Sequence, residues 1–227
     1  MTGPARSPEP DEPAGWPVGP MTFEEYLEFE QASEVRHEFV GGYAYPMDVE
    51  MMSGGTFAHN VMITNVTVAL GTRTLPTSCR THNQSFKLQT PSGRIYYPDV
   101  MVSCGPRPSD DALYLDDPCL AVEVVSPGSM RSDHGEKRED YAEVPTLDAY
   151  LVIESVWRAV HRHWRDADGT WRKALVTGDG EIPLPCPAGG VLTLAEIYRG
   201  FDLPDAPPTR APLRRVKETT AEAYEVE

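Results

Sequence analysis

Basic residues are scarce in this chain: 20 Lys and Arg stand against 35 Asp and Glu, for a formal net charge of -15 at pH 7. That balance argues against a polycationic coat for nucleic acid, because counterion release from a basic surface supplies most non-specific affinity for DNA. No apolar run reaches the roughly 18 residues that a membrane span needs. The opening MTGPARSPEPDEPAGWP has neither a basic n-region nor an apolar h-region. The expectation is a cytosolic protein without membrane contact. Cysteine is sparse too: Cys79, Cys104, Cys119 and Cys186 are scattered and form no C-x-x-C pair. Neither a zinc cluster nor a disulfide framework is therefore expected, and buried free thiols are the reading. Ser126 lies in Val-Val-Ser-Pro-Gly, which lacks the G-x-S-x-G elbow of a serine hydrolase. No internal repeat is present.

What is there suits one domain. At 227 residues with 40% hydrophobic and 9% aromatic content, the chain can bury a single sizeable core. Residues 1–20 contain six prolines and read as a disordered tail. Residues 21–203 carry the periodic segments, and 204–227, with Pro204, Pro207, Pro208 and Pro212, read as a flexible C-terminal tail. Thr22 precedes Glu25 by three positions, a capping-box pattern that predicts a helix to Ala32. His37–Val40, Gly41-Gly42 and Tyr43–Pro46 predict a hairpin. Residues 59–70 have apolar positions nearer to helical than alternating spacing, with Gly71 as the stop. Phe86 to Thr90 and Ile95 to Ser103 read as strands around Pro91-Ser92-Gly93, which puts Asp99 on a strand. Leu120 to Val125 (LAVEVV) is a core strand with one charge. Asp133 and Glu136 form a second capping pattern before a helix that sets Asp133, Lys137 and Tyr141 on one face. Residues 149–153, 157–164 and 170–176 are strands, the last two joined by Asp168-Gly169.

A carboxylate inside an apolar strand is costly unless it is paired, hydrogen-bonded or metal-bound. Glu123 is in that position, and so is Asp99, 24 residues earlier, far enough for the two to meet on neighbouring strands. A hard divalent cation such as magnesium takes one or two carboxylates and completes its shell with water and phosphate. Lys137 follows Glu123 by 14 residues; its helix returns along the sheet and can direct the ammonium to the attacking water or the phosphate.

The motifs RHEFVGGYAYPM (36–47), His59 at a helix start, YPDVMV (97–102), AVEVVSPGS (121–129) and DHGEKREDYAEVPTLDAYLVIE (133–154) occur in this order. Together they resemble the Uma-two-type family of restriction endonucleases within the PD-(D/E)XK nuclease superfamily. The resemblance implies an α/β restriction-endonuclease-like core with a mixed central sheet flanked by helices and an additional N-terminal hairpin. It also implies a Mg2+ or Mn2+ ion held by Asp99 and Glu123, with Glu38 as a third acidic contributor and DNA as substrate. The superfamily lysine belongs two residues after the acid, where this chain has Val125. The match for a lysine moved to the next helix is Lys137, with Lys87 the alternative. A homodimer follows by analogy, since cutting a duplex needs two sites.

Blander readings stand beside these. Lys137 lies in a charge run, EKRED, of the kind that forms solvated helix faces. Glu38 adjoins a glycine turn, and His59 is a helix-start residue that either lines the site or is structural. His161 and His163 share a strand face and read as surface residues rather than ligands. Tyr141 either packs in the core or hydrogen-bonds in the site. The rival functions are a catalytically inactive nuclease-fold module and a metal-dependent hydrolase of a small phosphoester, which the acidic surface suits.

Overall fold

A computed structural model describes residues 17–47, 56–125 and 136–207, apart from the side chain of Glu136. Helix α1 (Phe23–Ala32) is followed by β1 (His37–Val40), β2 (Tyr43–Pro46), α2 (Phe57–Thr74), β3 (Arg80–Asn83), β4 (Lys87–Gln89), β5 (Ile95–Tyr96), β6 (Val100–Ser103) and β7 (Tyr114–Leu115). Then come β8 (Pro118–Val125), α3 (Glu136–Ala142), β9 (Ala149–Glu154), β10 (Ala159–Arg165), β11 (Trp171–Thr177), β12 (Glu181–Pro183), β13 (Val191–Thr193) and α4 (Leu194–Ile197). The central sheet has the order β11-β10-β9-β8-β6-β3. It is mixed: β8 and β9 pair in parallel, while β6 pairs antiparallel with β8. Parallel neighbours cannot be joined by a tight hairpin, and α3 lies on the connection between them. A second sheet, β2-β1-β5-β4-β7, begins with the β1–β2 hairpin. Its turn residues Gly41 and Gly42 have φ of 61° and 86°, the left-handed conformations that a two-residue type I′ turn requires.

Strand alternation separates two apolar layers. Leu120, Val122 and Val124 of β8 and Leu151 and Ile153 of β9 face a cluster with Met62, Val66 and Leu70 of α2. Ala121 and Val125, with Tyr150 and Val152, face the other way, into a cluster with Tyr141 of α3 and Leu88 and Tyr96 of the second sheet. Glu123 has the parity of Ala121 and Val125, so period-2 geometry aims it at α3. The Thr22–Glu25 capping box forms as expected, and α1 packs Tyr26 against Phe39 with ring centroids 4.7 Å apart.

Three expectations need correction. Asp99 lies in a bend just before β6 rather than within a strand. Gly71 does not end α2: its carbonyl accepts from Leu75 N–H at 3.0 Å, and the buried Leu70 and Thr74 carry the helix past it. An interior glycine costs only about 1 kcal/mol, less than a buried turn returns. Val18, ahead of the first helix, exchanges both backbone hydrogen bonds with Ala44. The cysteines are not free thiols: Cys79 bonds Cys104, and Cys119 bonds Cys186. β3, β6 and β8 are sheet neighbours, so residues far apart in sequence meet at their ends. The expected cap at Asp133, Ser126, and residues 1–16 and 208–227 of the two tails lie outside the described residues.

Candidate active site

Antiparallel pairing of Val100 with Val122 sets Asp99 beside Glu123, and backbone hydrogen bonds hold the two carboxylates there. Asp99 Oδ2 accepts from Val124 N–H at 2.7 Å, and Asp99 N–H donates to Glu123 Oε2 at 3.3 Å. Both residues are buried, at 6% and 5% relative exposure. From α3, Tyr141 OH donates to Glu123 Oε1 at 3.1 Å, and Lys137 Nζ lies 3.5 Å from the same oxygen. Lys137 also pairs with Glu38 Oε1 of β1 at 2.8 Å. His59, in the first turn of α2, has Nε2 3.6 Å from Asp99 Oδ1. Four of the expected residues, Asp99, Glu123, Lys137 and Glu38, therefore meet, with His59 and Tyr141 beside them.

Burial pushes the Tyr141 hydroxyl far above its ordinary pKa, and the Glu123 charge adds to that. Tyr141 stays a phenol and can serve only as donor to Glu123. Lys87 is placed elsewhere, with Nζ 5.5 Å from the centre of the Tyr97 ring, and burial pushes its pKa down. His161 and His163 go to separate partners: Glu154 Oε1 at 3.1 Å for the first, the Tyr150 ring at 6.0 Å for the second.

Two supporting networks escaped sequence reading. Buried Asp140, in the EKRED run, accepts from Arg94 and from Tyr96 OH, which pins α3 to the second sheet. Lys137 Nζ in turn lies 5.8 Å from the Tyr96 ring centre. Glu30 accepts from His37 N–H at 3.0 Å and from Tyr97 OH at 2.5 Å, tying α1 to the Tyr-Tyr-Pro-Asp segment. The available signal was weak: a strand-end tyrosine pair, Tyr96-Tyr97, directly before Pro98-Asp99.

The donor chemistry fits a divalent cation. Among the described residues, the Lys137 ammonium reaches Glu123 and Glu38 while Asp99 faces His59, and carboxylates gathered this closely in a buried place are stabilised by pairing or by a bound cation. All-oxygen donors select hard ions such as magnesium or manganese.

An acid pair joined across two antiparallel strands, met by a lysine from the crossover helix of a mixed sheet, defines a restriction-endonuclease-like nuclease fold. Residues 23–195 match the Uma2 family, described as "Putative restriction endonuclease", and the chain belongs to that family. An uncharacterized protein of Synechocystis is 31% identical over 186 residues, covering 82% of this chain and 95% of the relative. A second uncharacterized Synechocystis protein is 25% identical over 162 residues, 70% of this chain and 89% of its own length. Among solved structures, one from Anabaena variabilis, described as "a putative nuclease belonging to DUF820", superposes with a TM-score of 0.63 at 14% identity. It covers 79% of this chain and 98% of its own, a likeness of fold. The family's class generally uses divalent metals. Among the described residues no helix is long and apolar enough to cross a membrane.

Proposed function

We propose that this protein is a metal-dependent endonuclease that hydrolyses phosphodiester bonds in DNA, with Asp99 and Glu123 holding Mg2+ or Mn2+. The observation that carries this is the buried convergence of the two carboxylates with Lys137, 3.5 Å from Glu123. When bound, the ion supplies charge neutralisation at the phosphate and acidifies water. The chain's own groups do the rest. Asp99 is fixed by the Val124 N–H and Glu123 by the Asp99 N–H, so little reorganisation is needed when substrate arrives. Tyr141 orients the Glu123 carboxylate. Glu38 holds Lys137 at the site, where its ammonium orients the attacking water and counters charge that develops on the scissile phosphate. His59 backs Asp99 from α2. The protein acts in the cytosol, and two copies together cut both strands of a duplex.

The test is nicking of supercoiled plasmid by the full chain in Mg2+ or Mn2+. EDTA and Asp99→Ala are each expected to abolish nicking. Equal nicking by wild type and Asp99→Ala, or activity indifferent to EDTA, overturns the reading. Hydrolysis of an aryl phosphodiester with none of DNA would transfer the same site to a small substrate, the alternative that the net charge of -15 favours.

A further inference from the structure

We infer that the four cysteines form a second metal centre, which in the reduced chain holds one zinc-class ion as a tetrathiolate. Cys79 lies just before β3, Cys104 just after β6, Cys119 on β8 and Cys186 in the loop between β12 and β13. Four separate elements thus deliver their sulfurs to one place. The two disulfides, Cys79–Cys104 and Cys119–Cys186, touch: Cys104 Sγ is 3.7 Å from Cys119 Sγ. The sulfurs of Cys104, Cys119 and Cys186 all lie within 4.8 Å of one another, and Cys79 is bonded to the first of these.

Two staples placed for stability gain nothing from contact with each other, whereas a tetrahedral ion requires it. With Zn–S near 2.3 Å, the sulfurs of a tetrahedral site stand about 3.8 Å apart. Thiolates are soft donors that select zinc over the hard ions suited to the carboxylate site. Cys119 and Cys186 are buried and Cys79 and Cys104 half-buried, so the centre is sheltered yet reachable. Arg80, which donates to Gly105 O at 3.3 Å, places a cation beside a site whose loaded form is anionic.

Opening the two disulfides takes four electrons and four protons. Two equivalents of a dithiol supply both and leave as the cyclic disulfide. Loading then displaces the protons of the four thiols. Cys119 precedes Glu123 by four residues along β8, about 13 Å at strand rise. The centre therefore fastens the far end of the β6–β8 pair whose near end carries the acid pair.

The full chain, reduced with dithiothreitol and desalted under anaerobic conditions, is titrated with cobalt(II) alone. One cobalt per chain should bind at the cysteines, with thiolate charge-transfer absorption and the intense visible bands of a tetrahedral site, both bleached as zinc displaces it. Cobalt at the carboxylates gives no charge-transfer band, so the two sites read separately. Cys119→Ser should lose or weaken the signal. Cys104→His, which keeps four ligands, should bind with bands shifted toward a three-sulfur, one-nitrogen set. Reduced wild type that shows no thiolate charge-transfer band on cobalt addition, or bands unchanged by Cys104→His, overturns the inference whether or not Cys119→Ser folds.

Discussion

Glu123 has both carboxylate oxygens engaged by protein donors, Oε2 by the Asp99 backbone and Oε1 by Tyr141 and Lys137. Its orientation is thus set before any ligand arrives. Glu123→Gln should lower plasmid nicking by more than about 100-fold, the upper range that lesions outside the ligand set already reach. Tyr141→Phe, which removes only the orienting hydroxyl, should cost about tenfold and weaken Mn2+ binding measured by calorimetry. Glu30 makes a separate prediction. Burial alone would raise its pKa, but the hydrogen bonds from His37 and Tyr97 outweigh it and hold the carboxyl below its ordinary value. A depressed folded pKa contributes stability that is complete above the unfolded value and lost as pH falls through the folded one. Glu30→Gln should therefore flatten the acid limb of the urea-midpoint profile and leave its slope near neutrality unchanged. At this scale the sequence shows whatever violates a local rule. Glu123 stands out in LAVEVV because a charge there needs a reason. Asp140 and Glu30 do not, because their partners lie 44 and 67 residues away and each looks like one more acid on a helix.

Helix α3 carries the Lys137 ammonium to the acid pair at the end of the β6–β8 pair, so its seating on the second sheet matters separately from the metal binding proposed above. Asp140→Ala breaks the clamp to Arg94 and Tyr96. It should lower kcat by about tenfold, the scale of an outer-shell loss, while Mn2+ affinity at Asp99 and Glu123 stays within twofold of wild type. A parallel fall in metal affinity would show that α3 supports the whole site and not only Lys137. In the strands, Leu151 is fully buried against α2, and Leu151→Ala should cost about 2–5 kcal/mol in urea denaturation. The strands were legible because each combines an apolar run or alternation with a turn at its end, as β1–β2 and β10–β11 do. The C-terminal end of α2 was not, since Gly71 punctuates like a stop and only the burial of Thr74 against the sheet overrides it. The cysteine pairing was invisible for a related reason: spacing along the chain carries no record of which strands become neighbours.

For the molecule as a whole, the net charge of -15 sets how the proposed DNA substrate would be held. Among the described residues, the cations on this side of the molecule are few: Lys137 and Arg94 at α3, with Arg36 and Lys87 set apart against the Tyr97 ring. With about three or four phosphate contacts, binding should weaken with salt at a log–log slope near −3 to −4. Fluorescence anisotropy on a duplex measures it, and a slope near −10 would reveal a basic surface that these residues do not provide. The overall architecture was open to sequence reading because the order of motifs is the order of the sheet's central elements.

Val125 packs into the apolar layer with Tyr141, Val144 and Leu147, on the side of β8 that also carries Glu123. The position two residues after Glu123 is thus part of the hydrophobic seat for the helix that carries Lys137. Adhesion and the ammonium proposed for catalysis thereby fall at different ends of one contact. Evolution can retune the grip of α3 through residues such as Val125 and change the occupancy of the ammonium without touching an ion ligand. Restoring the lysine to the strand by Val125→Lys would undo both at once, placing a charge in the layer that holds α3 down.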